Sequence, residues 1–498
     1  MTLAAPFSPP SRPGVMKILR KSNGTFEILS LPGDADLERG EYIVAVEGKK
    51  ALILEVIDIE YADIPGLLED LLRELTLQNA SVSLFDPHKI GSVTLAIRES
   101  KKIVSKLRAV LSEGEVKSSS LWIPSRFSSK IRRISTNEVL RHVRGEPLIP
   151  IVIGESFGEQ LAIDASELDS SLTIITGRKG TGKSHCTKVL LYELVKKGCY
   201  ALVFDINGEY CGLGEGKKGG DNEISEKVVV ARPCVNFKVG LETIGLEVML
   251  DILEHVFATP QNSLREFARL WESLEREREL TVENLLSEVR RAHMNEAIRD
   301  AILSRLQVVF SSGFIINGDY DPIPELFGSR EDGILVVVDL SRLRPMIRRM
   351  VVEYVLSGVS QHLSDGSIPP LFLVSEEAHL YVGETYWEDI VTRMRHLGIS
   401  PIFVSNQPDS IPETIYRQAD NLFLFNFLNE NDLESLSKFS HVDAETVKSI
   451  APSLEPGQTL VIGKVVGNIP VLARIRDIDA KVLGNTKKFF KTLETKIQ

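Results

Sequence analysis

Residues 171–198, SLTIITGRKGTGKSHCTKVLLYELVKKG, followed at 201–210 by ALVFDINGEY, decide the fold. An apolar run, a glycine-rich loop, a helical pattern and a second apolar run succeed one another. That order predicts a right-handed crossover within a parallel sheet. Inside it, Gly177, Arg178, Lys179, Gly180, Thr181, Gly182, Lys183 and Ser184 fit G-x-x-x-x-G-K-[ST]. Glycines at those places let successive backbone N–H groups turn toward an anion, where the start of the next helix adds partial positive charge. Lys183 then reaches the β- and γ-phosphates of ATP, and Ser184 supplies an oxygen to Mg²⁺. A chance glycine turn would lack the strand before it and the helix after it.

Outward from that unit, strands resume at GILVVVDL (333–340), PLFLVSEE (370–377), ISPIFVSNQ (399–407), NLFLFN (421–426), TLVIGKVV (459–466) and PVLARI (470–475). Between the two groups, residues 241–311 carry helical periodicity. The expectation is an α/β, RecA-like core with a mainly parallel sheet, built from 151–240 and 312–480 and interrupted by a helical insertion at 241–311. Residues 15–125 read as short β-branched segments, with one amphipathic helix around 65–77. A small barrel would close the edges of such a domain. Residues 126–150 form a basic connector bearing Arg126, Lys130, Arg132, Arg133, Arg141 and Arg144. Its charges read equally as a solvated face or as a nucleic-acid contact. The proline-rich start, 1–14, reads as disordered, and 481–498 as a basic tail.

The chain has 498 residues, more than one core usually supports, so two or three domains are expected. A net charge of −11 and 43% hydrophobic residues describe a globular chain whose surface is not basic all over. Such a balance still allows a positive stripe or pore. Cys186, Cys199, Cys211 and Cys234 lack CxxC spacing, which argues against a zinc site or disulfide framework. No run of about 18 apolar residues is present, and a cytoplasmic location is expected.

Hydrolysis needs acids at the ends of strands beside the loop. Glu376 and Glu377 follow the apolar run Leu371–Val374; adjacent acids there are costly to bury unless they serve a metal or a water. Glu377 is assigned as base and Glu376 to the Mg²⁺ side, with the reverse also compatible. Asp205 and Glu209 flank a turn after another strand, which reads either as a metal-shell acid or as an Asx-type turn. Ser405, Asn406 and Gln407 end the next apolar strand and suit a γ-phosphate sensor, or a plain turn before Pro408. Arg393 and Arg395 lie on a helical segment leading to that strand, as trans-acting arginines or as surface residues. The loop CGLGEGKKGGDNE (211–223) carries Lys217 and Lys218 at its tip and reads as a DNA-contacting pore loop or a surface excursion.

Taken in order, GRKGTGKSH, FDINGEY, VSEEAH, the arginine of MRHLG, SNQP, NLFLFN and EPGQTLVIGK resemble the HerA proteins of the HerA/FtsK class. The resemblance runs from the N-terminal β domain to about Asp477. It implies a homo-oligomeric, hexameric ring that moves double-stranded DNA through a central pore, with an N-terminal HAS-type barrel and a NurA nuclease as partner in archaeal DNA end processing. It also implies Gly180 to His185 around the phosphates, Glu377 as base, Arg395 as the trans-acting arginine and Gln407 as sensor. Gly463 and Lys464 would lie near the nucleotide at a subunit boundary. Two departures stand out: Ser171 occupies the place of a nucleotide-contacting arginine, and SNQP replaces SQRP. Both suggest a divergent paralogue. The competing classes are a secretion or conjugation ATPase anchored by a partner, and a regulatory ATPase serving as a platform for an effector.

Overall fold

The computed structural model describes residues 16–22, 24–30, 36–62, 100–119, 122–126, 128–328, 332–380, 391–392, 395–408, 411–436, 444–481 and 483. The start (1–14), the amphipathic helix around 65–77, the strands expected at 81–85 and 92–98, Arg393 and nearly all of the basic tail lie outside these residues.

The N-terminal part is an antiparallel sheet of β1 (Lys17–Ser22), β2 (Thr25–Ser30), β3 (Tyr42–Glu47), β4 (Lys50–Tyr61), β5 (Lys101–Ser112), β6 (Glu115–Lys117) and β7 (Lys130–Ile134). Its order is β1-β2-β5-β4-β3-β7, with β6 on β5. Among the described residues the end strands β1 and β7 do not pair with each other. β7 falls inside the segment read as a basic connector. Arg132 is bonded to Glu138 at 2.7 Å and Arg133 to Glu41, while Arg144 donates to Val465 O and Ala162 O. Much of the connector's charge is therefore engaged within the folded chain, and Arg144 ties it to the second sheet. β7 buries Ile131 and Ile134 and leaves Lys130 and Arg133 exposed, and Ser135 caps α1 (Thr136–Arg144) through the Glu138 N–H.

The second sheet has eleven strands, ordered β12-β15-β11-β16-β17-β10-β18-β19-β20-β8-β9. Seven neighbours are parallel: β12 (Val228–Ala231), β15 (Leu335–Asp339), β11 (Tyr200–Asp205), β16 (Leu371–Glu376), β17 (Ile399–Ser405), β10 (Thr173–Thr176) and β18 (Asn421–Leu424). The remaining four, β19 (Gln458–Gly463), β20 (Val471–Ile475), β8 (Pro150–Ser156) and β9 (Glu159–Asp164), join antiparallel, so the sheet is mixed. Apart from the edge strand β12, the parallel strands are buried along nearly all of their length, which is why they read as unbroken apolar runs instead of alternating ones. Helix α2 (Lys183–Lys196) packs beneath β10 through Val189, Leu190 and Leu194, all fully buried.

The segment after β12 leads through the two-residue β13 (Val239–Gly240) into α3 (Leu241–Asp251), α4 (Gln261–Glu277), α5 (Val282–Arg291) and α6 (Glu296–Ser311), and returns by β14 (Ile315–Ile316), which pairs with β13. Trp271 and Phe267 fill the centre of this bundle. The long α7 (Pro345–Ser364) then links β15 to β16.

Candidate active site

In a parallel sheet every strand ends on the same edge, so loops after β10, β11, β15, β16 and β17 share one rim. Gly177 to Gly182 form the turn after β10. A Cβ on Gly177 would lie 2.4 Å from Phe425 Cβ, and Gly182 adopts φ 116° at the start of α2 with Gly457 Cα 3.3 Å from where a Cβ would be. Both positions need glycine, and the loop leads directly into the start of α2. Lys183 is buried and its Nζ donates to Arg178 O at 2.9 Å, across the loop. Burial lowers its pKa to about 8 against the opposing pull of Glu377, Glu376 and Glu209. A desolvated ammonium at the start of a helix is a strong phosphate ligand.

Glu376, the last residue of β16, is 3% exposed and accepts a hydrogen bond from Ser184 Oγ. Its pKa is pushed up to about 7, chiefly by burial, opposed by the Ser184 bond and reinforced by Glu209 and Asp205. The pair offers a hydroxyl and a carboxylate oxygen, the hard donors that Mg²⁺ prefers. Among the described residues no cluster of three or more His, Cys, Asp or Glu forms a ready-made metal cage. The donor set thus fits a Mg²⁺ that takes its other ligands from phosphates and water, which is how this ion is usually held.

Glu377 follows immediately, with φ 49°. A left-handed backbone is costly for a side chain with a Cβ, and such outliers gather at functional sites. Its N–H donates to Val404 O at 2.8 Å, tying it to β17. Asn406 Nδ2 donates to one carboxylate oxygen, and His379 Nδ1 lies 3.6 Å from the other. The amide that meets Glu377 is therefore Asn406; exposed Gln407 uses its backbone N–H and C=O on Ser405 Oγ. Asn406 thus stands beside the Gln407 expected as sensor, at the end of β17. His379 was not anticipated at all, although the sequence EEAH places it one turn after the acids.

Asp205 does something else. It is fully buried and its oxygens accept from Glu209 N (2.9 Å) and Tyr210 N (2.8 Å), an Asx-type turn that explains the conformation of FDINGEY. The carboxylate is engaged by its own backbone and by Cys211 Sγ at 3.7 Å. Thr181 bonds Arg178 O at 2.7 Å and closes the loop, and His185 Nε2 bonds Arg476 O at 2.8 Å. Lys217 is ion-paired to Asp477, and its N–H bonds Asp479, so the loop carrying it is docked on the acidic stretch after β20. Lys218 is exposed.

Arg395, Gly463 and Lys464 gather at the opposite edge of the sheet. Arg395 donates to Ser170 O (2.8 Å) before β10 and lies 3.2 Å from Asp420, whose other oxygen is 2.8 Å from Lys464 Nζ. Asp420 also accepts from Leu172 N at 2.9 Å and precedes β18. The four residues of β10, Thr173–Thr176, lie between this edge and Gly177, roughly 13 Å at the strand rise. Asp420 went unremarked in the sequence, where a lone acid before an apolar strand gives no signal. Ser171 is buried at this same edge, bonded to Leu168 O and to Asn421 Nδ2. It is a packing residue, far from the phosphate loop.

Comparison with known proteins adds to this geometry. Residues 151–359 match the family model described as "Helicase HerA, central domain". The chain is 23% identical over 391 residues to the DNA double-strand break repair helicase HerA of Saccharolobus solfataricus, covering 72% of this chain and 75% of that one. It is 23% identical over 481 residues to the protein of the same name from Sulfolobus acidocaldarius, covering 90% of each. Among solved structures, VirB4 of Thermoanaerobacter pseudethanolicus superposes with a TM-score of 0.51 at 15% identity, covering 67% of this chain and 98% of that one, a likeness of fold alone. The phosphate loop and the paired acids thus stand in a chain that hydrolyses ATP and whose central part, residues 151–359, is similar to the central domain of HerA helicases.

Proposed function

We propose that this ATPase is a motor that couples hydrolysis to movement along double-stranded DNA, works as a homo-oligomeric ring, by family resemblance a hexamer, and acts in DNA end processing beside a NurA-type nuclease. The observation that carries the ring is the separation within one protomer. Arg395 and Lys464 lie a strand's length, roughly 13 Å, from their own phosphate loop, on the other edge of the sheet. They serve a nucleotide only if a second copy presents that edge to it. The relatives named as DNA repair helicases support the DNA substrate.

In this reading the backbone of Gly177 to Gly182 and Lys183 bind the phosphates. Ser184 and Glu376 hold Mg²⁺, which when bound would neutralise phosphate charge. Glu377, kept in place by Asn406 and by its bond to β17, orients a water toward the γ-phosphorus. As the water's oxygen bonds phosphorus and the bond to ADP breaks, the water's proton passes to the Glu377 carboxylate. Arg395 from the neighbour adds positive charge to the transferring group, an effect worth roughly 10³ to 10⁵ in rate where it occurs. Among the described residues no helix is long and apolar enough to cross a membrane.

The test is displacement of a protein block from the end of a linear duplex. ATP-dependent displacement by the wild type, lost in Lys183→Ala, supports a motor. Nucleotide hydrolysis with no displacement on any duplex would favour an ATP-switched platform instead.

A further inference from the structure

The rim that holds the phosphate loop also carries a basic surface that the reaction does not use. Residues 340–352, LSRLRPMIRRMVV, contain Arg342, Arg344, Arg348 and Arg349 and no acid, in a chain where Asp plus Glu outnumber Lys plus Arg by 69 to 58. Arg342, Arg344 and Arg349 are exposed, and among the described residues none of the three has a carboxylate or hydrogen-bond partner. Met346 between them is also exposed.

The placement is fixed, not incidental. Asp339 at the end of β15 accepts from Ser341 N (3.1 Å) and from Ser341 Oγ (2.5 Å), pinning the turn that carries Arg342. That turn packs against the one after β11, where a Cβ on Gly208 would meet Ser341 Oγ at 3.3 Å. Counting strands β10, β17, β16, β11 and β15, the arginines stand four spacings from the phosphate loop on the same edge, roughly 19 Å away. The first turn of α7 has no acid to offset them. Like charges crowded at the positive end of a helix are unfavourable in the free protein, and an anion relieves them. Lys217 is the opposite case: its charge is already matched by Asp477.

We infer that Arg342, Arg344 and Arg349 form a contact surface for the phosphate backbone of double-stranded DNA. They hold phosphates without reading bases, as a motor that moves along any sequence requires. The inference rests on the DNA reading given under Proposed function and adds the site at which the duplex is gripped.

The experiment uses the full chain carrying Arg342→Ala, Arg344→Ala and Arg349→Ala together, and a second version with Lys at all three positions. Binding of a labelled linear duplex is followed by fluorescence anisotropy from 50 to 200 mM salt. Each phosphate contact contributes about 0.9 to the slope of log affinity against log salt, so the alanine version should lose about 2.7 from the slope and at least about tenfold in affinity. The lysine version should keep the slope, and both should keep wild-type ATPase without DNA. An unchanged slope in the alanine version, or a lost slope in the lysine version, overturns the inference. Lost DNA-free ATPase also overturns it, by placing the arginines at a nucleotide. A wild type that binds no duplex at any salt defeats instead the DNA reading on which the inference stands.

Discussion

Replacing Glu376 by Gln should make the nucleotide-free protein more stable in alkali while destroying its activity, and the size of the effect can be worked out. Burial raises this carboxyl's pKa to about 7, whereas in the unfolded chain it titrates near the ordinary glutamate value of about 4.3 to 4.5. A raised acid favours the native state while protonated. Its contribution is fully present below the unfolded pKa and is lost as pH rises through the folded one. Between pH 5 and pH 8 the linkage relation gives a loss of about 2.5 kcal/mol from this one group. Gln keeps the hydrogen bond with Ser184 and does not ionise, so the variant should escape that loss. Thermal melts of wild type and variant without nucleotide should diverge by roughly 3 to 4 °C in favour of Gln at pH 8, and nearly coincide at pH 5. ATPase should fall to background at both. Parallel pH profiles would refute the claim that Glu376 is held against its charge in the free protein.

Three further outcomes follow from the same site. Asn406→Ala should lower kcat about tenfold to a hundredfold with KM within about twofold, since it frees the base without touching the phosphate loop; a change confined to KM would contradict that role. Glu377→Gly should be more stable than Glu377→Ala by about 1 kcal/mol in urea unfolding, because the left-handed backbone at φ 49° suits glycine. If Arg395 acts on a neighbour, mixing Arg395→Ala with Glu377→Gln protomers should give ATPase that departs from the average of the two; simple averaging would count against a shared site.

Much of this was legible in the sequence because the chemistry and the backbone demand the same residues. Gly177 and Gly182 are glycines for steric reasons, Lys183 and Ser184 follow at fixed spacing, and the run before Glu376 is apolar because β16 is buried. The helical insertion at 241–311 was readable from its period, and its strands β13 and β14 are too short to show one. Asp205 left two readings open, and its bonds to Glu209 N and Tyr210 N settle on the turn. What escaped was set by distant pairing. β7 looked like a charged linker because its arginines find Glu41 and Glu138 only in the folded chain. Asn406 and Gln407 are adjacent amides, and which one faces Glu377 depends on the twist at the end of β17. Asp420 gains meaning only when Arg395 and Lys464, 25 residues before it and 44 after it, arrive at the same edge.

The most direct test is the steady-state ATPase rate with and without linear duplex DNA, for the wild type and Glu377→Gln. The account predicts hydrolysis that rises severalfold with duplex in the wild type, and none above background in the variant under either condition. Hydrolysis that ignores DNA, or that survives the loss of the Glu377 carboxylate, would contradict it.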